Sequence, residues 1–199
     1  MNKILYIKAN AKSDNMSRTY RISNNFIELY KKANPEDEII TLDLYKEGIK
    51  SLTLEDINTI FGVKTDDSKN HPILKYAYQF AEVDKYVVAA PMWNLSIPAI
   101  LKAYIDYICV TGITFKYTEQ GPVGLCKGKK AIYIVGRGGD YSRKPFSDYE
   151  MGERYLRTIF AFLGITDFTT IAANGLDVGD EGSIMENALL EVKNKVLEF

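Results

Sequence analysis

Tyr86-Val87-Val88-Ala89-Ala90 is an almost continuous apolar run near the middle of the chain. Side chains of a strand alternate between the two faces of a sheet, so a strand that is apolar at every position is typical of a sheet covered on both faces. The run therefore predicts a central parallel strand. On either side of it, short β-rich runs alternate with helical stripes from end to end, which predicts an α/β fold with helices on both faces.

Outward from this strand, the hydrophobic pattern places the other elements. It predicts strands at residues 3–9, 38–42, 130–135 and 168–173. It predicts helices from about Ser17 to Asn34-Pro35, at 97–110, from about Tyr149 to Gly164 and along the C-terminal stripe, and two shorter helices around 54–61 and 73–80 with a polar loop at 64–70. Residues 113–117 and 130–135 bracket Gly121-Pro122-Val123-Gly124, which predicts a strand interrupted by a surface hairpin.

Composition limits the function. The 199 residues are 46% hydrophobic and carry 25 basic against 26 acidic side chains, so we expect a single domain over residues 1–199 and no nucleic-acid partner. The apolar stretches are too short to span a bilayer, and the first residues lack a secretory signal, so we expect no membrane contact and a cytoplasmic location. Two cysteines and one histidine, His71, disfavour a disulfide scaffold, a zinc site and a catalytic triad.

The loop after the first strand, residues 10–19, is rich in hydroxyl and amide groups and leads directly into a helix. Ligands of open α/β sheets bind beyond the carboxyl ends of the strands, and the first N–H groups of a helix favour an anion. This pattern indicates a phosphate site, although capping of the helix by Ser17 explains the same residues equally well. The segment contains no glycine, which disfavours an ATP or Rossmann-type NAD site and favours a mononucleotide such as FMN.

Two more strand-end loops are unusual. After the central strand comes Pro91-Met92-Trp93-Asn94-Leu95-Ser96-Ile97-Pro98, which can present backbone groups to the edge of a flat heterocycle. Packing of Trp93 between helix and sheet is the other interpretation. After the next strand comes Gly136-Arg137-Gly138-Gly139-Asp140, whose glycines permit positive-φ turns and a close approach to a ligand; a loose surface loop is the alternative.

At these residues the sequence resembles the FMN-dependent NADH:azoreductase and NADH:quinone oxidoreductase family, a branch of the flavodoxin-like fold. The resemblance covers nearly the whole chain. Its most specific parts are Ala90-Pro91-Met92-Trp93-Asn94, the segment from Gly112 to Leu125 with the following Gly128-Lys129-Lys130-Ala131, and Arg137-Gly138-Gly139. The resemblance implies a five-stranded parallel sheet in the order 2-1-3-4-5 with an inserted hairpin.

The resemblance also implies which residues hold the cofactor. It implies that the FMN phosphate lies against Asn10, Ser17, Arg18 and Thr19, although family members usually have serine where this chain has Asn10. It implies that the isoalloxazine ring and ribityl chain lie among Pro91, Met92, Trp93, Asn94 and Leu95, with Gly136, Arg137, Gly138 and Gly139 at the pyrimidine edge. Family members usually have Ser or Thr where this chain has Gly136.

The activity implied by the resemblance is a two-step exchange in which NADH or NADPH reduces bound FMN and a second substrate then takes the hydride. Quinones, aromatic azo dyes and nitroaromatics are the expected acceptors, and no titrating side chain is required. Tyr117 and Phe162 are implied as aromatic walls for the acceptor; a solvent-facing hairpin residue and ordinary core packing are the respective alternatives. The resemblance further implies a homodimer whose sites are each completed by the second subunit.

Two other function classes compete with this one. A flavodoxin-type electron carrier would bind FMN without turning over a substrate, but this chain is near neutral and carries the extra hairpin. A non-flavin α/β enzyme or binding module would take up no FMN at all. Turnover with NADH and a quinone separates the first from the enzyme, and flavin uptake separates the second.

Overall fold

The computed structural model describes residues 1–199 except the side chain of Asp66. Its strands are β1 (Lys3–Lys8), β2 (Glu38–Asp43), β3 (Lys85–Ala89), β4 (Phe115–Thr118), β5 (Gly121–Gly124), β6 (Lys130–Gly136) and β7 (Asp167–Ala173). Its helices are α1 (Arg18–Ala33), α2 (Leu54–Phe61), α3 (Leu74–Glu82), α4 (Ala99–Ile108), α5 (Gly152–Phe162) and α6 (Glu181–Glu198). Short 3₁₀ turns lie at Asp14–Met16, Asp66–Asn70 and Phe146–Tyr149.

The main sheet is parallel throughout and has the order β2-β1-β3-β6-β7. Counting only the strands of this sheet, the order is 2-1-3-4-5, so the expected topology is confirmed. The central position of β3 is also confirmed, since Val87 pairs with Tyr6 of β1 on one side and with Ile132 of β6 on the other.

Helices cover both faces of the sheet. On one face, α1 and α6 pack through Phe26, Val192 and their neighbours against Val87 and Ala89. On the other face, α3, α4 and α5 pack against Tyr86, Val88 and Ala90. Successive residues of the central strand therefore enter different cores, which is why the run is apolar at every position.

Some boundaries differ from the sequence prediction. Strand β4 belongs to a separate antiparallel hairpin with β5, rather than to an interrupted strand of the main sheet. Both edges of β3 are already paired, with β1 and β6, so the sheet has no place beside β3 for residues 115–118. Helix α4 begins at Ala99 with Pro98 as its N-cap, helix α5 begins only at Gly152, and the predicted polar loop at 64–70 contains a 3₁₀ turn.

Because β1, β3, β6 and β7 are parallel, the loops that follow them meet at one edge of the sheet. This edge includes the three loops that the sequence singled out. Among the described residues, none of the helices has both the length and the apolar character needed to cross a membrane.

Candidate functional site

A cleft of about 180 Å³ lies at the carboxyl edge of the sheet. It brings together the three predicted loops and part of a fourth: its lining residues are Asn10, Lys12, Ser17, Arg18, Thr19, Pro91, Met92, Trp93, Gly136, Gly138, Leu176 and Asp177. A larger depression of about 540 Å³ lies between α1 and α6, where Arg21, Leu189 and Lys193 are among its lining residues. We assign the site to the smaller cleft, because strand ends, a helix N-terminus and glycines converge there.

The loop after β1 is held by a buried hydrogen-bond network. The Ser17 hydroxyl caps α1 by accepting from the N–H of Tyr20 at 3.1 Å, and it also accepts from the Asn10 amide at 2.7 Å. The N–H of Asn10 donates to the Tyr20 hydroxyl at 2.7 Å. Ser17 therefore caps the helix and also lines the cleft. Helix capping and a place in a phosphate site, the two interpretations of this loop, are compatible for the same side chain. The N–H groups of Arg18 and Thr19 open the helix, where no intrahelical acceptor exists.

Thr19 joins this loop to the end of β6. Its hydroxyl accepts from the N–H of Gly136 at 3.1 Å and lines the cleft. A Cβ added to Gly136 would lie 3.0 Å from that hydroxyl and 3.1 Å from Leu176. The absence of a side chain at Gly136 therefore keeps this part of the cleft open.

The loop after β3 makes a tight turn. Trp93 and Ser96 exchange two backbone hydrogen bonds, of 2.9 and 3.0 Å, and the residues between them, Asn94 and Leu95, have left-handed φ values of 47° and 68°. Trp93 is 38% exposed, so the interpretation that it packs between helix and sheet is wrong. Pro91, Met92 and Trp93 line the cleft, whereas Asn94 and Leu95 lie beyond its lining.

The glycine-rich loop after β6 differs from expectation. Gly136, Gly138 and Gly139 all lie outside the left-handed region, so the loop does not use the positive-φ turns that its glycines permit. The close approach is real at Gly138, but it is made to a protein side chain, because an added Cβ would lie 2.2 Å from the Asp177 carboxylate. Gly136 and Gly138 line the cleft and Gly139 does not.

The Arg137 side chain lies outside the cleft lining and is only 5% exposed. Its guanidinium is 3.2 Å from a Glu150 oxygen and 3.3 Å from a Glu153 oxygen, and it donates to Asn174. Burial alone would raise the pKa of Glu153, but hydrogen bonding from Arg157 and the charges of the two arginines outweigh it and lower that pKa. The Arg137 cation is therefore paired with carboxylates on the α5 side.

The sequence reasoning missed Leu176 and Asp177. Both follow β7, whose carboxyl end lies at the same edge as the other strand ends, and both line the cleft. Their position after a fourth parallel strand was the available signal. The composition of this loop is ordinary, so it does not stand out in the sequence.

Tyr117 and Phe162 come together, but away from the cleft. Both contact Phe115, with ring centroids 5.4 and 4.8 Å from it. Helix α5 starts beside the cleft and runs back along the sheet for 11 residues, so Phe162 stands about 15 Å further along the helix axis. Within one chain, these two rings therefore lie toward the opposite end of the sheet.

Comparison with family models matches residues 2–196 to the family described as having a flavodoxin-like fold. The chain belongs to the flavodoxin-like family. This flavodoxin-like protein is 65% identical to FMN-dependent NADH:quinone oxidoreductase 2 of Clostridium acetobutylicum and 63% identical to the FMN-dependent NADH:quinone oxidoreductase of Caldicellulosiruptor saccharolyticus. Each alignment covers 100% of both chains.

Solved structures agree. The flavodoxin-like protein superposes on the FMN-dependent NADH-azoreductase from Bacillus anthracis str. Ames Ancestor, solved in complex with FMN, with a TM-score of 0.91 and 31% identity over 100% of this chain and 99% of the other. The azoreductase from Bacillus anthracis str. Sterne gives a TM-score of 0.91 at 35% identity, with both chains covered completely. The family resemblance read from the sequence is thus confirmed.

Proposed function

We propose that this flavodoxin-like protein is an FMN-dependent oxidoreductase that uses NADH to reduce quinones and aromatic azo compounds. The observation that carries the proposal is the cleft at the carboxyl edge, where hydroxyl, amide and ammonium groups meet the N-terminus of α1 beside a glycine-lined wall. The names of relatives identical at 60% or more over the full chain support the same function.

The phosphate end of the cleft fits the phosphate of FMN. The hydroxyls of Ser17 and Thr19 can still donate, because the hydrogen bonds they make to Tyr20 and Gly136 use only their acceptor capacity. The N–H groups of Arg18 and Thr19 add helix N-terminal donors, and Lys12 adds positive charge. We propose that these groups and Asn10 hold the phosphate.

The remaining cofactor residues would hold the ribityl chain and ring. We propose that the Pro91, Met92, Trp93, Asn94 and Leu95 loop lies along the ring, with Gly136, Arg137, Gly138 and Gly139 at its pyrimidine edge. Bound FMN would supply the two-electron redox chemistry of the reaction. The chain's own part is to orient the ring through backbone groups and to cover it, so no side chain needs to gain or lose a proton. A flat slot of this kind selects quinones, azo dyes and nitroaromatics by shape.

We also propose that the protein acts as a homodimer. A cleft of about 180 Å³ is below the range of pockets that enclose a whole cofactor, and Trp93 and Leu95 beside it are more than a third exposed. Tyr117 and Phe162 stand toward the other end of their own chain, where they can wall the cleft of a second copy. Helix α2 and the residues after it expose apolar Leu54, Phe61 and Val63, which a partner subunit would cover.

The same proposal includes a single domain over residues 1–199, a cytoplasmic location, and no nucleic-acid or membrane partner. Cys109 and Cys126 are both free thiols, as suits a reducing compartment. The near-zero net charge of −1 offers no broad basic surface for nucleic acid or anionic lipid.

Anaerobic titration tests the function. We expect the purified protein to take up FMN, its flavin absorbance to bleach on addition of NADH, and the colour to return on addition of a quinone or an azo dye, with steady-state turnover of both. Bleaching without turnover would make the protein an electron carrier instead. Failure to take up FMN would leave a non-flavin α/β protein, and comparison of NADH with NADPH under the same conditions fixes the donor.

A further inference from the structure

The loop after β7 forms a fourth wall of the cleft, in addition to the loops after β1, β3 and β6. Leu176 and Asp177 line the cleft and attach to the neighbouring loop through backbone hydrogen bonds. The N–H of Leu176 donates to Arg137 at 3.0 Å, and the N–H of Asp177 donates to Gly138 at 2.9 Å. The N–H of Gly175 also donates to the carbonyl of Gly139 at 3.0 Å, so three successive N–H groups fasten this segment to the glycine-rich loop. Leu176 is buried, whereas Asp177 is exposed.

The Arg18 side chain reaches this wall from the first turn of α1. One guanidinium nitrogen is 2.6 Å from an Asp177 carboxylate oxygen, and the other donates to the carbonyl of Leu176 at 2.8 Å. The second nitrogen also lies 3.4 Å from Glu181. Arg18 thus binds the carbonyl of one wall residue and the carboxylate of the next, which couples α1 to the loop after β7.

The charges indicate what this contact does in the cleft. A carboxylate that lines a phosphate-binding cleft repels the phosphate unless a cation neutralises it. Arg18 faces two carboxylates, those of Asp177 and Glu181, so little of its charge is left for a phosphate. The hydroxyls of Ser17 and Thr19 and the backbone N–H groups of Arg18 and Thr19 remain available to the phosphate.

Gly138 supplies an independent observation. An added Cβ at this residue would lie 2.2 Å from an Asp177 carboxylate oxygen and 3.0 Å from its carboxyl carbon. The glycine therefore leaves the space in which the Asp177 carboxylate sits while it pairs with Arg18. Gly138 leaves room for the Asp177 carboxylate, and Arg18 pairs with it in that same position.

We propose that the Arg18 side chain is a positioning residue that clamps the loop after β7, through Asp177, as a wall of the cofactor cleft, and that it does not bind the phosphate. The inference rests on the proposed function for the identity of the ligand. The clamp itself is a property of the flavin-free chain.

Amide hydrogen exchange of the flavin-free protein tests the clamp directly. The variants are Arg18→Gln, Asp177→Asn and the charge-balanced double variant. We expect exchange at Leu176 and Asp177 to become about three- to fivefold faster in all three, with the double variant no faster than the singles, because all three lose the same ion pair. The control is Arg21→Gln, which removes a neighbouring arginine of α1, 3.7 Å from Glu181 and outside the cleft lining, and should leave these amides unchanged.

Flavin titration of the same proteins tests the role in the cleft. Riboflavin is the clean probe, because it carries no phosphate charge. We expect riboflavin affinity to fall about three- to fivefold in Arg18→Gln, Asp177→Asn and the double variant, and FMN affinity to fall by the same factor in the charge-balanced double variant.

The outcomes separate the possible errors. Unchanged exchange in Arg18→Gln would overturn the clamp, and faster exchange with undiminished riboflavin affinity would overturn its role in the cleft. Loss of FMN affinity alone in the double variant would make Arg18 a phosphate ligand. If the unmodified chain binds no FMN while exchange still responds, the proposed function fails and the clamp stands.

Discussion

The two ends of the cleft are built differently. At the phosphate end, Ser17, Asn10 and Tyr20 are buried and satisfy one another by hydrogen bonds before any ligand arrives. At the ring end, Trp93 and Leu95 are more than a third exposed, and two residues of the turn have left-handed φ values. One end is complete within a single chain, and the other presents apolar surface that this chain leaves uncovered.

The two ends match two different recognition tasks. A phosphate needs donors at fixed positions, which a strand, a capped helix and a network of short hydrogen bonds can supply locally. A flat ring and its acceptor need two apolar walls, and a loop at a sheet edge supplies only one. The proposed homodimer supplies the second, because Tyr117 and Phe162 lie together at the far end of their own chain.

The largest expected effect comes from a mixed dimer. Ser17→Ala/Thr19→Val should abolish activity at FMN concentrations that saturate the unmodified protein, and Phe162→Ala should abolish it by removing a wall. A dimer purified with one subunit of each kind has one cleft with an intact phosphate end and an intact Phe162, so we expect about half the normal activity. The measurement is quinone-dependent NADH oxidation. An inactive mixed dimer would mean that each chain walls its own cleft.

Loss of one hydroxyl at the phosphate end comes next. Thr19→Val keeps the shape but removes the group that accepts from Gly136 and faces the cleft, so FMN affinity should fall about 30-fold, while riboflavin affinity falls far less. Fluorescence titration of flavin-free protein measures both. Thr158→Val, on the exposed surface of α5, is the matched control. An equal loss of affinity for both flavins would show that this end of the cleft does not bind the phosphate.

The support beneath the phosphate end gives a smaller effect. The ammonium of Lys8, a buried residue, lies 2.5 Å from Asp14 and 4.4 Å from the centre of the Tyr20 ring, and this contact lowers the pKa of Asp14. Lys8→Met leaves the Asp14 carboxylate with the hydrogen bond from Asn24 but without an ion-pair partner. Its uncompensated negative charge would repel the phosphate, so we expect about tenfold weaker FMN binding and a smaller loss for riboflavin. Lys102→Met, at an exposed ion pair with Asp106, should bind both flavins normally. Unchanged FMN affinity in Lys8→Met would contradict this account.

The smallest effect lies at the opposite edge of the sheet. Asp37 accepts from the N–H of Asn2 and from the Tyr30 hydroxyl, each at 2.6 Å, and these hydrogen bonds lower its pKa from 3.8 to about 2. A depressed carboxyl pKa stabilises the fold above the unfolded value and loses this effect as pH falls from about 4 to about 2.

Asp37→Asn should therefore lower the urea midpoint of unfolding by a few tenths molar at pH 6, and the difference should vanish as the pH approaches 2. FMN affinity at pH 7 should not change, since Asp37 is remote from the cleft. A stability difference that persists at low pH would mean that the Asp37 carboxylate charge is not the stabilising feature.

Much of the fold was readable from the chain. The central strand and the helices on both faces follow from apolar periodicity, because every strand of the main sheet contributes to buried cores. The strand order came from the family resemblance. The hairpin was misassigned, since residues 115–118 are strand-like in composition and only the occupied neighbours of β3 exclude them from the sheet. The local sequence pattern indicates that a segment is strand-like, but it does not indicate which other strand that segment pairs with.

The sequence predicted part of the site correctly and missed the roles of its charged side chains. Ser17, Thr19, Met92 and Gly136 line the cleft, as expected of strand-end loops. The roles of the charged side chains were not predictable, because their partners are distant in sequence: Arg18 pairs with Asp177 across 159 residues, and Arg137 pairs with carboxylates of the segment that opens α5. Composition gives no information about such pairs.

The amino-acid sequence by itself determined where the cleft lies, since the order of apolar strands and helical stripes decides which loops meet at the carboxyl edge. Only the tertiary structure decided which side chains face that cleft and which charges remain unpaired there. The physical reason is range. Hydrophobic periodicity acts over a few residues along the chain, whereas an ion pair such as Arg18 and Asp177 depends on the distance between two atoms that only the folded sheet brings together.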